Sequence, residues 1–178
     1  VQAHGWLRPG TDPELCLASD NVSVDPEPDY LDVIAGFNEL VEFNALSHDP
    51  NLVGFLERLV GDKVLVHPKP LPRNIFPRLE EYTTPPHQDY PNIQGTTEVY
   101  TAWIPLMDCP AEVGGLQVAA GSHRGGVYEF GIGNGAGGIE ILEPFEGAWR
   151  AAPMYPGDVL IFHSMLVHKG VPNRSDRL

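Results

Sequence analysis

The sequence predicts a mostly β domain, a sandwich or a barrel, with two amphipathic helices in front of it. The 178 residues suit one domain with a buried core, and 42% of them are hydrophobic. The 19 glycines and 18 prolines make turns more frequent than in average proteins. Nine short apolar or alternating runs follow residue 61, each bounded by turn-forming residues. Many short strands between turns are typical of all-β folds.

The N-terminal third carries a predicted arm and the two predicted helices. Residues 1–30 are polar and rich in Pro and Asp, so we expect a loosely structured arm. The helices are expected within residues 31–61. Residues 31–46 repeat apolar side chains at helical spacing, which predicts the first helix. Asp49 suits the N-cap of the second helix, which is expected to begin at Pro50 and stop at Gly61.

Residues 62–178 are expected to form the core of this single domain, because they hold all the predicted strands. These strands are Lys63–His67, Asn74–Leu79, Glu98–Leu106, Leu116–Ala119, Val127–Phe130, Ile139–Leu142, Trp149–Ala152, Asp158–His163 and Met165–His168. Strands at this spacing predict a sandwich or a barrel. The glycine-rich stretch 131–138 lacks the Lys-Ser/Thr of a phosphate-binding loop, so we predict a surface loop there.

The charge balance excludes several classes of partner. Lys and Arg number 11 against 24 Asp and Glu, for a formal net charge of −13. This charge repels nucleic acids and anionic membrane surfaces, so neither is expected as a partner. No apolar run approaches the roughly 20 residues of a membrane helix. The two cysteines, Cys16 and Cys109, suit a reduced, cytoplasmic setting, and a single disulfide is the alternative.

His87 and Asp89 are the first candidates for metal ligands. Side chains two positions apart share one face of an extended strand, so both can reach one ion. The pair alone is weak evidence, because His-x-Asp often arises by chance. A third ligand is available from His163 or His168, near the ends of two later runs. Two His and one carboxylate leave three positions open on octahedral iron(II), as in the facial triad of non-haem iron oxygenases.

Five blocks of the sequence together resemble the phytanoyl-CoA dioxygenase family. They are His87-Gln88-Asp89, AWIPLMD at 102–108, GGLQVAAGSHRGG at 114–126, GDVLIFH at 157–163 and HKGVPNRSDR at 168–177. Their order and spacing match the family from about Val64 to the last residue. Family members are iron(II)- and 2-oxoglutarate-dependent oxygenases on a double-stranded β-helix, a cupin-like jelly roll with helices packed outside. The resemblance implies this fold here, with Fe(II), 2-oxoglutarate as co-substrate, and O2.

Carried over residue by residue, the resemblance makes His87, Asp89 and His168 the catalytic residues and metal ligands. In the family pattern the last ligand precedes a Pro-Asn-x-Ser stretch, which here occupies residues 172–175 and identifies His168. His163 is then expected to line or support the site. Three further residues are expected to contact 2-oxoglutarate: Arg177, Asn74 and Thr101.

Arg177 is the candidate for the arginine that anchors the co-substrate. A guanidinium matches a carboxylate bidentately, and the family commonly places this Arg eleven residues after the last ligand. That position would fall just past Leu178, whereas Arg177 lies nine residues after His168. Positions nine and eleven share a face of a strand, so either could reach. We therefore expect the chain to be truncated at its C-terminus, and the absence of an initial Met suggests the same at its N-terminus.

The resemblance implies an enzyme, a 2-oxoglutarate-dependent dioxygenase that hydroxylates or otherwise oxidises a small organic molecule and releases succinate and CO2. Asp89 favours hydroxylation, because related halogenases have Ala or Gly at that position. The net negative charge argues mildly against an acyl-CoA substrate, whose phosphates favour a basic site. Two alternatives stay open: a jelly-roll metal protein of another class, such as a metal-dependent isomerase or hydrolase, and a non-catalytic binding module.

Overall fold

The structure, a computed structural model, describes residues 1–68, 70–133, 137–143 and 145–178. It divides into two compact units. The first unit comprises residues 23–74 with Val1, and the second comprises residues 2–22 with 75–178. The sequence predicted a single domain with boundaries after residues 30 and 61, and these boundaries stay a prediction.

The first unit contains three helices. They are α1 (Pro28–Glu39), α2 (Val41–Ser47) and α3 (Pro50–Val60). The single helix predicted over 31–46 is wrong, because Leu40 adopts extended backbone, with φ −75° and ψ 122°, between α1 and α2. The Asn44 amide donates to the carbonyls of Asn38 and Leu40 at 2.9 Å, which satisfies acceptors at the end of α1. The apolar repeat continues across this break, so periodicity did not reveal it.

Helix α3 confirms the caps that the sequence predicted. Oδ1 of Asp49 accepts from the backbone N–H groups of Asn51 at 2.8 Å and Leu52 at 3.3 Å. At the other end Gly61 adopts φ 75° and its N–H donates to the carbonyl of Glu57. Within the described parts of the chain, every helix is too short or too polar to cross a membrane.

The second unit is rich in sheet. Its strands are β1 (Tyr100–Trp103), β2 (Gly115–Ala119), β3 (Phe130–Ile132), β4 (Ile139–Ile141), β5 (Trp149–Arg150), β6 (Leu160–His163) and β7 (His168–Val171). All pair antiparallel: β1 with β6, β3 with β4, and β2 between β5 and β7. A short helix, α4 (Tyr90–Ile93), precedes β1. The prediction of a mostly β core is confirmed for these residues.

Two predicted strands are absent from the described residues. Lys63–His67 is not a strand, and Asn74–Leu79 contributes only an isolated bridge between Pro77 and Asn173. Pro77, within the second run, lacks the N–H that a strand ladder needs, and the prolines at 68, 70 and 72 lie between the two runs. The run at Met165–His168 is also corrected, because residues before His168 form a turn. The surface loop predicted at 131–138 overlaps β3, and its residues 134–136 lie outside the described residues.

The core of the second unit joins its N-terminal segment to later parts of the chain. Trp6, 1% exposed, packs edge-on against Phe76 with ring centroids 4.9 Å apart.

Cys16 and Cys109 are free thiols, so the disulfide considered from sequence is absent from these residues. Burial raises the pKa of the Cys109 thiol.

Gly114 is required by the close approach of β2 to β7. Its φ is +103°, and an added Cβ would meet the carbonyl oxygen of Val171 at 2.5 Å.

We expect Gly114→Ala to lower the free energy of unfolding by about 2–4 kcal/mol, from backbone strain plus this contact. Gly157 is the matched control, since it has the same φ of +103° but open space around its Cα. Gly157→Ala is expected to cost about 1–2 kcal/mol. The free energy of unfolding is measured in urea. If both variants lose the same amount, the contact with Val171 does not contribute.

Candidate metal centre

The three predicted metal ligands lie together in the second unit. Nε2 of His87 and Nε2 of His168 lie 3.6 and 3.5 Å from Oδ1 of Asp89. The two imidazole centroids are 4.1 Å apart. One ligand atom from each residue lies within 4.8 Å of the others. Two nitrogens and one carboxylate oxygen at these separations can bind one side of a single ion and leave its other positions open.

A backbone pairing places the two histidines. The His87 N–H donates to the His168 carbonyl at 2.9 Å, and the His168 N–H donates back at 3.0 Å. Residues directly opposite in an antiparallel pair direct their side chains to the same face. The pairing continues where the Gly170 N–H donates to the Thr84 carbonyl at 2.9 Å. Strand β7 therefore brings His168 beside the His87–Asp89 segment.

The other ring nitrogen of each histidine is held by a carbonyl. Nδ1 of His87 lies 2.8 Å from the Pro85 oxygen, and Nδ1 of His168 lies 2.9 Å from the Leu166 oxygen. A carbonyl oxygen only accepts, so each Nδ1 carries the proton and donates it. Nε2 is the nitrogen of each ring that remains for an ion; without an ion it can donate a hydrogen bond to Oδ1 of Asp89, and an ion that displaces that proton meets an electron pair there. Three electron-pair donors then converge, a donor set that a divalent cation fits.

Asp89 is kept ionised by its neighbours. Burial alone would raise its pKa, but hydrogen bonds from His168 and His87, the charge of His168 and a hydrogen bond from Thr101 outweigh burial and hold the pKa of Asp89 well below its usual range. Oγ1 of Thr101 donates to Oδ2 at 2.6 Å. The carboxylate is thus oriented by Thr101 and offers Oδ1 to an ion.

The Thr101 hydroxyl gives a testable contribution to metal affinity. Removing the outer partner of a ligating carboxylate costs about 10–100-fold in metal affinity. We expect Thr101→Val to weaken Co(II) binding by that factor in a calorimetric titration. Thr97→Val is the control, because Thr97 is exposed and lies in the same segment of chain. Equal affinities for the two variants would contradict the orienting role of Thr101.

His163 does not join the three ligands. On the β1–β6 pair Thr101 lies opposite Phe162, and Phe162 packs its ring 4.7 Å from the His168 ring. Because side chains alternate along a strand, His163 lies on the other face. There its ring stacks with His123 at 5.8 Å. Its Nδ1 accepts from the Met165 N–H at 3.0 Å, so His163 supports the turn that leads to His168.

Two residues expected to contact the co-substrate lie in different units. Asn74 belongs to the first unit, and its Nδ2 is buried without a hydrogen-bond partner among the described residues. Arg177 belongs to the second unit, where its carbonyl accepts from Nδ2 of Asn173 at 2.6 Å. The backbone of Arg177 also forms a bridge with Leu17. Contacts of Arg177, Asn74 and Thr101 with 2-oxoglutarate stay predictions.

Comparison with known proteins identifies related sequences over most of the chain. The family model for phytanoyl-CoA dioxygenase (PhyH) matches residues 20–178. A 1-deoxypentalenic acid 11-beta-hydroxylase of Streptomyces exfoliatus is 32% identical over 177 residues, covering 92% of this chain and 61% of that protein. A hydroxylase of the same name from Streptomyces arenae is 29% identical over 186 residues, covering 97% and 62%. The chain thus spans about three-fifths of the length of these relatives.

A solved structure shares the fold. The epimerase SnoN, in complex with Fe3+, alpha ketoglutarate and nogalamycin RO, superposes with a TM-score of 0.54 at 24% sequence identity. The match covers 75% of this chain and 53% of that one. At this level of identity the similarity concerns the fold alone.

Proposed function

The chain belongs to the phytanoyl-CoA dioxygenase family, and on this premise we propose that it is a non-haem iron(II)- and 2-oxoglutarate-dependent oxygenase. It hydroxylates or otherwise oxidises a small organic molecule, with succinate and CO2 as co-products. The observation that carries the proposal is the convergence of Nε2 of His87, Nε2 of His168 and Oδ1 of Asp89. Relatives named as hydroxylases of 1-deoxypentalenic acid support a small-molecule substrate.

The residues present fit an iron(II) ion in this proposal. His87, Asp89 and His168 would hold it, because two neutral imidazoles and one carboxylate are the donors that such iron sites use. Iron(II) with 2-oxoglutarate supplies the activation of O2 and the oxidation of a substrate C–H bond. The co-substrate would bind beside the ion in the second unit, with Arg177 as its proposed contact there.

The other residues of the site orient the ligands and limit water access. The carbonyls of Pro85 and Leu166 fix the ring orientation of the two histidines. Phe162, 6% exposed, packs its ring against the His168 ring and covers it on one side. His87 is 9% and His168 4% exposed, so the two imidazole ligands are largely shielded from solvent. Shielding of this kind limits the access of water to the ligand atoms.

We also propose that the strands belong to a double-stranded β-helix. The bridge between His87 and His168 joins the segment before β1 to β7, and the β1–β6 pair lies beside it, with Phe162 of β6 against the His168 ring. A jelly roll brings such distant segments together in antiparallel pairs. The fold shared with the SnoN epimerase supports this architecture.

The proposal is tested by adding iron(II) and then 2-oxoglutarate to the purified protein without oxygen. We expect a visible metal-to-ligand charge-transfer band when both are present, and none with either alone. After oxygen is admitted, 2-oxoglutarate should be consumed and succinate formed. A protein that binds iron(II) but develops no band would overturn the oxygenase proposal and favour an isomerase or hydrolase. A protein that binds neither would favour a binding module.

A further inference from the structure

Gln88, between the two ligands His87 and Asp89, is buried and fully engaged by main-chain groups. Its side chain is 2% exposed. Nε2 donates to the carbonyl of Met165 at 2.6 Å and to that of Gly126 at 2.9 Å. Oε1 accepts from the Tyr128 N–H at 2.9 Å. The amide thus uses both its donors and its acceptor on two segments far away in the chain.

The first of these segments is the turn 164–166, which also contacts the ligands. The carbonyl of Ser164 accepts from the N–H of Asp89 at 3.0 Å. The carbonyl of Leu166 accepts from Nδ1 of His168 at 2.9 Å. Met165 lies between these two residues. The bond from Gln88 to Met165 therefore fixes the middle of a turn whose two ends orient Asp89 and His168.

The second segment is the loop 126–128, which is tied to the same turn. It follows the 3₁₀ turn Ser122–Gly125. Oγ of Ser122 accepts from the N–H of Val167 at 2.8 Å, next to His168. The loop thus contacts Gln88, and the 3₁₀ turn directly before the loop contacts Val167, the residue before His168. Fixing the loop and the turn with one amide leaves His168 little freedom to move away from Asp89.

From these contacts we infer that Gln88 is a positioning residue for the metal centre. Through Met165, Gly126 and Tyr128 it sets the position of His168 relative to the His87–Asp89 segment. A side chain of similar volume without amide groups would leave two carbonyls and one N–H buried and unpaired. The turn would then shift to satisfy them, and the ligand atoms would move with it. This inference rests on the metal site of the proposed function.

The test compares Gln88→Met, Gln88→Glu and wild type by titration with Co(II) alone. Methionine keeps the volume and removes all three hydrogen bonds, whereas glutamate removes both donors. We expect Co(II) affinity to fall about 10–100-fold in both variants, with shifted d–d absorption bands. Gln94→Met is the control, because Gln94 is exposed and its side-chain amide donates to the carbonyl of the nearby Pro91. It should leave affinity and spectrum unchanged.

The possible results distinguish a positioning role of Gln88 from an effect on protein stability alone. They also distinguish failure of this inference from failure of the proposed function. A folded Gln88→Met with wild-type Co(II) affinity and bands overturns the inference, even if its melting temperature falls. If neither Gln88 variant folds, Ser122→Ala decides, since it cuts the bond from the 3₁₀ turn before loop 126–128 to Val167, which lies between the turn 164–166 and His168. Unchanged bands in Ser122→Ala overturn the inference. A wild type that binds Co(II) but forms no chromophore with iron(II) and 2-oxoglutarate overturns the proposed function alone. A wild type that binds no Co(II) overturns both.

Discussion

We expect Asp89→Ala to abolish turnover of 2-oxoglutarate and to lower iron(II) affinity by more than about 100-fold. Loss of a residue that only contacts a ligand already lowers metal affinity by up to about 100-fold, and Asp89 is itself a proposed ligand. Alanine deletes Oδ1, which lies 3.5–3.6 Å from the two imidazole Nε2 atoms. It also leaves the Thr101 hydroxyl without the acceptor that it contacts at 2.6 Å. Two neutral histidines cannot balance the charge of a divalent ion as a carboxylate does.

The measurement pairs equilibrium metal titration with 2-oxoglutarate turnover in the presence of oxygen. Asp108→Ala serves as the matched control, since Asp108 is an exposed aspartate in the same unit. It should keep both wild-type affinity and turnover. Wild-type product formation by Asp89→Ala would remove Asp89 from the ligand set.

We expect His168→Ala to abolish metal binding and His163→Ala to retain it with less than about a 10-fold loss of affinity. Of these two histidines, His168 is the one whose Nε2 lies 3.5 Å from Oδ1 of Asp89. His163 instead packs against His123 and holds the Met165 N–H, so its loss affects the supporting turn. The sequence alone left these two histidines as alternatives, and the resemblance favoured His168.

Iron or cobalt titration of the two variants, with circular dichroism to verify folding, checks this difference. His163→Ala acts as the histidine control for His168→Ala, because both residues lie near the same turn. Loss of the ion from His163→Ala with retention by His168→Ala would reverse the assignment. Retention by both would mean that the ion binds elsewhere.

Features set by local chemistry could be predicted from the sequence. The caps of α3 depend on Asp49, Pro50 and Gly61, each of which acts within its own turn of chain. The break at Leu40 could not be predicted, because the apolar repeat runs through it and an Asn44 side chain stabilises it. The strand predicted at Asn74–Leu79 does not form, because Pro77 lacks the N–H that a ladder needs. The alternating apolar pattern that predicted this strand takes no account of the proline.

Of the candidate site, only the ligand side chains could be predicted from the sequence. His87, Asp89 and His168 are of residue types that bind metal ions, and they occur at the spacing of a motif. The carbonyls of Pro85 and Leu166, which orient the imidazoles, are ordinary main-chain atoms that no pattern distinguishes. Gln88 reaches partners 38 and 77 residues away, so its contacts exist only in the folded chain. Side chains alternate along an extended segment, so the sequence does indicate that Gln88 faces away from His87 and Asp89. This is the one signal that the sequence offers for Gln88.

The proposed function requires one metal ion bound between His87, Asp89 and His168. The sharpest test is a crystal structure of the protein loaded with iron(II) without oxygen, with anomalous diffraction collected on both sides of the iron absorption edge. We predict a single anomalous peak about 2.0–2.2 Å from Nε2 of His87, Nε2 of His168 and Oδ1 of Asp89, distances typical of first-row metal ions bound by nitrogen and oxygen. A peak at any other side chains, or a loaded protein with no peak at these three atoms, would show that His87, Asp89 and His168 do not bind the ion.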